Sequence, residues 1–181
     1  TGGMLSVAEE WMQEHAPHVK LTLAGQEQNA ETYAIAKADM LIKGQNVHNL
    51  VHGDTLTNPG LPGQTFSYCQ ANPPFGVDWK VQREKVEKER ERDGDTGWFA
   101  AGLPPVNDGS MLFLLHLASK LELPENGGGR AAIVLSGSPL FNGGASSGES
   151  EIRRWLLEND LVEAIVALPT EIFFRTGIGT Y

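Results

Sequence analysis

The most chemically suggestive stretch of the sequence is Asn72-Pro73-Pro74-Phe75, which directly follows a strand-like run. Two consecutive prolines remove two backbone N–H donors and fix two φ angles, so no strand continues through them. The Asn72 side-chain oxygen and the Pro73 carbonyl are two acceptors on a stiff loop, and Phe75 adds an aromatic face. Such a loop could accept both N–H bonds of an exocyclic aromatic amine and aim the nitrogen lone pair at an incoming methyl group. The alternative is a plain Pro-Pro turn at the surface.

Two carboxylates and a pair of glycines stand upstream at positions that suit a nucleotide-like ligand. Glu27 comes just past a predicted strand and could accept hydrogen bonds from two vicinal ribose hydroxyls, or be a solvated surface glutamate. Asp54 follows another strand-like run and could accept from the exocyclic amine of an adenine, or cap the next turn. Gly2 and Gly3 open a helix, where free amides could approach a ligand or simply form a tight turn.

The histidines and the single cysteine indicate no metal or nucleophile site. His48 and His52 are four residues apart, but they flank a strand-like run without a cysteine, so we predict no metal. Cys69 lies in an apolar strand pattern, which is typical of a core thiol.

Composition is that of one globular domain. The chain has 181 residues, 40% of them hydrophobic, and no apolar run approaches the roughly 20 residues of a membrane span. We therefore predict a soluble, cytoplasmic protein without a membrane partner. A net charge of −9 argues against a surface that is basic all over, and so against simple phosphate-driven binding of nucleic acid by this segment alone.

The hydrophobic pattern alternates strands with helices. The predicted strands are 19–25, 49–54, 65–71, a buried strand within 127–141 and a buried strand at 161–169; the predicted helices are 6–16, 31–44, 109–123 and 151–159. On helix 31–44 we predict that the inward side chains are Ile35, Ala38, Leu41 and Ile42. Alternation of this kind implies parallel crossovers in a doubly wound α/β sheet. The residues proposed above for chemistry all fall at the carboxyl ends of strands, and we expect them to share one rim.

Six motifs also occur in the order of a known family: "TGGML", "GQEQNAETYAIAKADMLIKG", "GDTL", "NPPFG", "DGSMLFLLHLASKL" and "LVEAIVALPTEIFF" followed by "TGIGT". Together they resemble the modification (methyltransferase) subunit of type I DNA restriction-modification systems, over nearly the whole chain.

The resemblance implies an activity and a role for each site residue. The reaction would be methyl transfer from S-adenosylmethionine to the exocyclic amine of adenine in DNA, with a specificity subunit and a restriction subunit as partners. The catalytic residues would be Asn72, Pro73, Pro74 and Phe75. The cofactor-binding residues would be Thr1, Gly2, Gly3, Glu27 for the ribose, Asp54 near the adenine, and Asn72.

The same resemblance implies a partial domain. Residues 1–181 would form a methyltransferase catalytic domain that begins inside the cofactor-binding glycine loop. Its fold would be the Rossmann-like S-adenosylmethionine-dependent methyltransferase fold, with a mostly parallel doubly wound sheet whose first and last strands are missing from this chain. The missing first strand would lie between strands 19–25 and 65–71, leaving a gap. We expect this segment alone to be inactive.

Two other functions remain open. A protein glutamine N-methyltransferase would use a similar Asn-Pro-Pro loop, because a carboxamide nitrogen has the same delocalised lone pair. A non-catalytic folding or assembly module is the second alternative.

Residues 80–95 carry six basic and six acidic side chains with almost no apolar ones. This pattern predicts a solvated helix or mobile loop. Because such a segment lacks apolar anchors, we expect it to be poorly ordered without DNA and to act as a flap beside the Asn72 loop.

Overall fold

A computed structural model describes residues 2–173 and 177–181. The chain forms two compact units, residues 1–64 and 65–181. Each unit contains one parallel two-stranded sheet.

The first unit is a β-α-β arrangement preceded by a helix. Its elements are α1 (Gly3–His15), β1 (Gly25–Glu27), α2 (Ala30–Ile42) and β2 (Leu50–His52). Strands β1 and β2 pair in parallel from Gly25 with Leu50 to Glu27 with His52. Helix α2 begins where the Asn29 side chain accepts a hydrogen bond from Thr32 N at 2.9 Å, which is an N-cap. This cap fixes the chain immediately after Glu27.

Two predictions for the first unit are wrong in detail. Strand 19–25 is observed only from Gly25 onward, since its partner β2 is three residues long and provides no ladder for residues 19–24. Helix α2 buries Ala36 and Met40, whereas Ile35, Leu41 and Ile42 are 51%, 60% and 86% exposed and Ala38 is exposed as well. This helix carries apolar side chains on more than one face, so periodicity alone did not identify the buried face.

The second unit contains the longer helices and the second sheet. Its elements are β3 (Tyr68–Ala71), α3 (Arg83–Asp93), α4 (Ser110–Ser119), β4 (Arg130–Ile133), α5 (Ser138–Phe141) and α6 (Gly148–Glu158), with 3₁₀ turns at Gly94–Thr96 and Pro124–Asn126. Strands β3 and β4 pair in parallel from Tyr68 with Arg130 to Ala71 with Ile133. Helix α4 packs against both strands. The core of the unit includes Phe99, Met111, Leu112, Leu115 and Ile152.

Two strands predicted to be buried are not. Residues 130–132 of β4 are exposed, because among the described residues β3 is the only strand in its ladder. Among the described residues no strand pairs with residues 161–169, and Leu161, Val162, Ile165 and Val166 are 40–63% exposed. An apolar run becomes a buried strand only when a neighbour pairs with it, and composition does not report that neighbour.

Helix α3 corrects the prediction that residues 80–95 are poorly ordered. It is an 11-residue helix whose Val86 side chain is fully buried. Its Glu89 accepts a hydrogen bond from Trp98 N at 2.9 Å. Ion pairs one turn apart, Arg83 with Glu87 and Lys88 with Glu84, accompany the helical conformation. The segment therefore has the apolar anchor that we expected it to lack.

The second unit contains a half-buried histidine with a shifted pKa. His116 on α4 packs edge-on to the Trp98 ring at 4.9 Å, and Lys120 Nζ lies 5.0 Å from the centroid of the same ring. Burial, with a smaller contribution from the Lys120 charge, lowers the pKa of His116 from 6.5 to about 4. His116 is therefore neutral in the folded chain at neutral pH.

We expect His116 to make stability depend on pH. Between pH 6.5 and 4 the unfolded chain binds a proton that the folded chain does not, so the free energy of unfolding falls as the pH is lowered across this window. The loss is at most about 3 kcal/mol. Urea unfolding at several pH values should show a shallower fall for His116→Gln than for the parent protein. Equal slopes in the two proteins would contradict this role for His116.

Candidate active site

The carboxylates of the first unit meet where β1 and β2 end. Glu27 is the last residue of β1, and Asp54 follows β2 by two residues. Between them, the Gln28 side chain donates a hydrogen bond to Asp54 Oδ2 at 3.2 Å. The predicted neighbourhood of Glu27 and Asp54 at one sheet edge is confirmed within this unit.

Glu27 is half-buried beside the N-terminus of α2. Its Oε1 accepts a hydrogen bond from Asn29 N at 2.9 Å. A carboxylate is stabilised at this end of a helix, where free amides and the helix dipole favour negative charge. Glu27 is thus a fixed acceptor, which is what binding a ribose diol requires.

Asp54 caps the turn that follows it. Its Oδ1 accepts from Leu56 N at 2.8 Å, and its backbone carbonyl accepts from Asn58 N at 2.8 Å. The turn-capping role, which is the alternative for Asp54, is therefore present. Both carboxylate oxygens have a donor inside the unit, so an adenine amine would have to share Asp54 with Leu56 N or Gln28.

The opening glycines differ from one another. Gly2 has a φ of +74°, and a Cβ there would lie 3.3 Å from Ala36 Cβ, so the position favours glycine. Gly3 is the first residue of α1, and a Cβ there would meet no atom of the described residues within 4 Å. Thr1 lies outside the described residues.

A small cavity connects these features. Its volume is about 70 Å³, and its lining includes Gly2, Gly25, Glu27, Tyr33 and Leu50. Ligand pockets in proteins usually enclose roughly 300 Å³ or more. The cavity can therefore hold only part of a nucleoside, and the residues present fit the ribose end of such a ligand, where Glu27 lies.

Sequence reasoning missed the aromatic wall of this site. The Tyr33 hydroxyl donates to Leu50 O at 3.2 Å, and the Tyr33 ring lies 5.4 Å from the ring of His52. His52 Nε2 in turn lies 3.0 Å from Gln28 O. Tyr33 stands within the quoted motif "TYAIAK" but received no role, and His52 was considered only as a metal ligand. His52 directly precedes Gly53 and Asp54, and this closeness to a predicted site residue was the sequence signal that could have placed His52 at the site.

The second unit carries the Asn72 loop. Strand β3 ends at Ala71, whose carbonyl accepts from Val134 N at 3.0 Å, and the loop starts at the next residue. Asn72 is exposed, Pro73 is buried and Phe75 is half-buried. Among residues 2–173 and 177–181 the Asn72 side chain and the Pro73 carbonyl make no hydrogen bond. The loop therefore presents two acceptors whose capacity is unused within this unit.

Cys69 precedes this loop and has no reactive character. It is half-buried, and burial raises the pKa of its thiol above the ordinary value, against a smaller opposing effect of the Lys120 charge. A raised pKa lowers the thiolate fraction, so Cys69 is a poor nucleophile at neutral pH.

Residues 2–173 and 177–181 contain few other features that could form a site. Three or more His, Cys, Asp or Glu side chains that could hold a metal ion do not come together there. None of the described helices is both long and apolar enough to span a membrane. A larger cavity of about 500 Å³ lies in the second unit between residues 100–103 and helix α6, and it contains none of the predicted site residues.

Comparison with known proteins identifies the fold and the family. The family model described as N-6 DNA Methylase matches residues 1–181. The chain is similar to the type I restriction enzyme MjaIX methylase subunit of Methanocaldococcus jannaschii (28% identity, 98% of this chain, 30% of the relative). It is also similar to the HindI methylase subunit of Haemophilus influenzae (29% identity, 98% of this chain, 38% of the relative).

A solved structure agrees with these sequence matches. The type I restriction-modification system methyltransferase subunit of Streptococcus thermophilus superimposes with a TM-score of 0.69 at 32% identity, over 87% of this chain and 32% of that one. The chain thus spans about a third of the length of the relatives that it matches. The predicted α/β class with parallel strands is confirmed, the fold is that of the S-adenosylmethionine-dependent methyltransferases, and the predicted resemblance is confirmed as well. The chain therefore belongs to the N-6 DNA methylase family.

Proposed function

We propose that this chain is the catalytic part of a DNA adenine N6-methyltransferase, which transfers a methyl group from S-adenosylmethionine to the exocyclic amine of adenine. The observation that carries the proposal is the Asn72 loop, with an exposed side-chain amide and a proline carbonyl unpaired within the described residues, in a chain of the N-6 DNA methylase family. The proposal includes the assignment of residues 1–181 to one partial catalytic domain.

The loop residues would act on the amine of the target base. The amine lone pair is delocalised into the ring, which makes the nitrogen a weak nucleophile. When Asn72 Oδ1 and the Pro73 carbonyl accept its two N–H bonds, the nitrogen becomes more tetrahedral and its lone pair points away from the ring plane. Two fixed proline φ angles keep the acceptors in place at low entropic cost. Phe75 supplies an aromatic face on which the base can stack.

The first unit would hold the cofactor. S-adenosylmethionine carries its transferable methyl group on a positively charged sulfur, so the nitrogen needs no strong base. Glu27 would accept hydrogen bonds from the ribose hydroxyls, and Gly2 would keep the backbone close to the ligand. Asp54 and Tyr33 would border the adenine. Asn72 would also contact the cofactor, as the family resemblance implies.

Removing the Glu27 carboxylate should weaken cofactor binding more than chemistry. In Glu27→Ala we expect the dissociation constant for S-adenosylmethionine to rise by roughly 10- to 150-fold, which corresponds to about 1.5 to 3 kcal/mol for a charge-assisted hydrogen bond. Turnover at saturating cofactor should change less. Isothermal titration of the complete gene product that contains residues 1–181 measures the first quantity.

The matched control is Glu31→Ala, an exposed glutamate in the first turn of α2. It removes the same charge from the same helix end without touching the cavity. If Glu27→Ala titrates like the parent or like Glu31→Ala, Glu27 is a surface glutamate and not a cofactor ligand.

A labelled-methyl assay tests the function as a whole. The complete gene product, with its partner subunits, is offered unmethylated DNA and a release-factor-like protein in one reaction with radiolabelled S-adenosylmethionine. We expect label in DNA, recovered as N6-methyladenine after nuclease digestion, and none in protein. Label in the protein would favour the glutamine N-methyltransferase, and label in neither would favour a non-catalytic assembly module.

We propose partners of the type I kind. Relatives of this chain are named as methylase subunits of type I restriction enzymes. The partners would be a specificity subunit, which chooses the DNA sequence, and a restriction subunit. A net charge of −9 on this segment supports the idea that much of the DNA affinity comes from elsewhere in the complex. Co-purification of the gene product with a neighbouring specificity subunit tests this assembly.

A further inference from the structure

The segment just after the Asn72 loop is bound to the segment that leads into α4. Gly109 N donates to Val77 O at 3.0 Å, and Trp79 N donates to Val106 O at 3.0 Å. The Trp79 indole adds a third hydrogen bond, from Nε1 to Pro105 O at 3.1 Å. Residues 77–79 and 105–109 are thus joined through both backbone and side chain.

Trp79 is the buried component of this junction. Its side chain is only 3% exposed in a stretch whose neighbours, Asp78 and Lys80, are exposed. The indole lies against Gly109, where an added Cβ would come within 3.4 Å of Trp79 Cδ1. Gly109 is the N-cap residue of α4, and α4 packs on both strands of the sheet. Trp79 therefore ties the chain to the most buried helix of the unit.

The Asn72 loop is consequently held at both ends. At its start, Ala71 is in the β3–β4 ladder and its carbonyl is bound by Val134 N. At its end, Val77 and Trp79 are bound to the 105–109 segment. Only residues 72–76 lie between these attachments, and Gly76 turns the chain there with a φ of +60°. The position of the loop depends on the second attachment as well as on the sheet.

We propose that Trp79 is a positioning residue for the Asn72–Phe75 loop, acting through the Val77–Trp79 junction with residues 105–109. The effect on catalysis rests on the proposed function, whereas the effect on the loop does not. Tryptophan suits the position because one side chain fills the space against Gly109 and donates to the Pro105 carbonyl. Phenylalanine can do only the first of these.

The test is Trp79→Phe in the complete gene product, with four measurements. We expect kcat to fall about 3- to 10-fold, while the dissociation constant for the cofactor stays within twofold and thermal stability stays near that of the parent. Hydrogen exchange of the two amides that anchor the end of the loop, Trp79 N and Gly109 N (the loop amides), should become faster by a similar factor, with the β3 and β4 amides unchanged. A merely structural role would not separate the loop amides from those of the sheet.

The matched control is Trp155→Phe on α6. Trp155 is half-buried, and in the described part of the chain its indole N–H makes no hydrogen bond. This variant should match the parent in all four measurements. Parental exchange of the loop amides in Trp79→Phe would overturn the proposal, and so would faster exchange throughout the second unit. If the parent protein methylates no DNA, the proposed function is wrong. The hydrogen exchange of the loop amides in Trp79→Phe then still shows whether Trp79 positions the loop.

Discussion

Replacing Asn72 by alanine should abolish measurable methyl transfer while leaving the dissociation constant for the cofactor within a few-fold. The side chain is exposed and makes no hydrogen bond among the described residues, so its removal should cost little folding stability. The loss of an aligned acceptor for the target amine should raise the barrier by about 3 kcal/mol or more, which lowers kcat by at least about 100-fold. Single-turnover methylation of DNA under saturating cofactor measures this directly.

The control for Asn72→Ala is Asn126→Ala, another exposed asparagine of the same unit that lies in a 3₁₀ turn. It should keep parental turnover. Turnover of Asn72→Ala within tenfold of the parent would end the assignment of Asn72 as a catalytic residue, whatever the family membership.

The second large effect concerns a backbone contact in the second unit. A Cβ at Gly148 would lie only 1.7 Å from the Leu103 carbonyl oxygen and 2.6 Å from its carbon. Gly102, the neighbour of Leu103, is also restricted, since a Cβ there would lie 2.9 Å from Gly148 O. A backbone carbonyl cannot move aside like the end of a flexible side chain. We therefore expect Gly148→Ala to lower the free energy of unfolding by at least about 3 kcal/mol, the upper end of overpacking effects.

Gly144→Ala provides the comparison. Gly144 lies four residues before Gly148, and a Cβ there would meet nothing within 4 Å among the described residues. Its replacement should be neutral or slightly stabilising, because alanine restricts the unfolded chain. Urea unfolding of both variants measures the difference, and equal stability would show that the first turn of α6 shifts freely away from Leu103.

The parts of the fold that could be predicted are those that a local pattern specifies. The Pro-Pro loop after β3, the opening of α1 and the amphipathic α6 follow from prolines, glycines and helical periodicity, and each is observed. Glu27 and Asp54 come together because parallel strands end at one edge. These inferences needed only neighbouring residues and one rule of topology.

The parts that failed depend on distant partners. Val86 is one apolar residue among twelve charged ones, and nothing local shows that it is buried and anchors α3. Residues 161–169 have strand composition but no ladder among the described residues. The hydrogen bond from Gln28 to Asp54 joins side chains that are 26 residues apart in sequence. The residues next to Asp54 therefore could not show that Gln28 also binds its carboxylate.

The two parallel pairs enclose very different lengths of chain. The stretch between β1 and β2, residues 28–49, has 22 residues, whereas the stretch between β3 and β4, residues 72–129, has 58. Loop-closure entropy grows as (3/2)RT ln n, so bringing β3 and β4 together costs about 0.9 kcal/mol more, from the ratio 58/22. Asn72 is the first residue of the longer connection, residues 72–129. The first pair therefore closes at lower entropic cost, and the start of the acceptor loop is fixed only when the costlier β3–β4 pair is formed, because Ala71 belongs to that ladder.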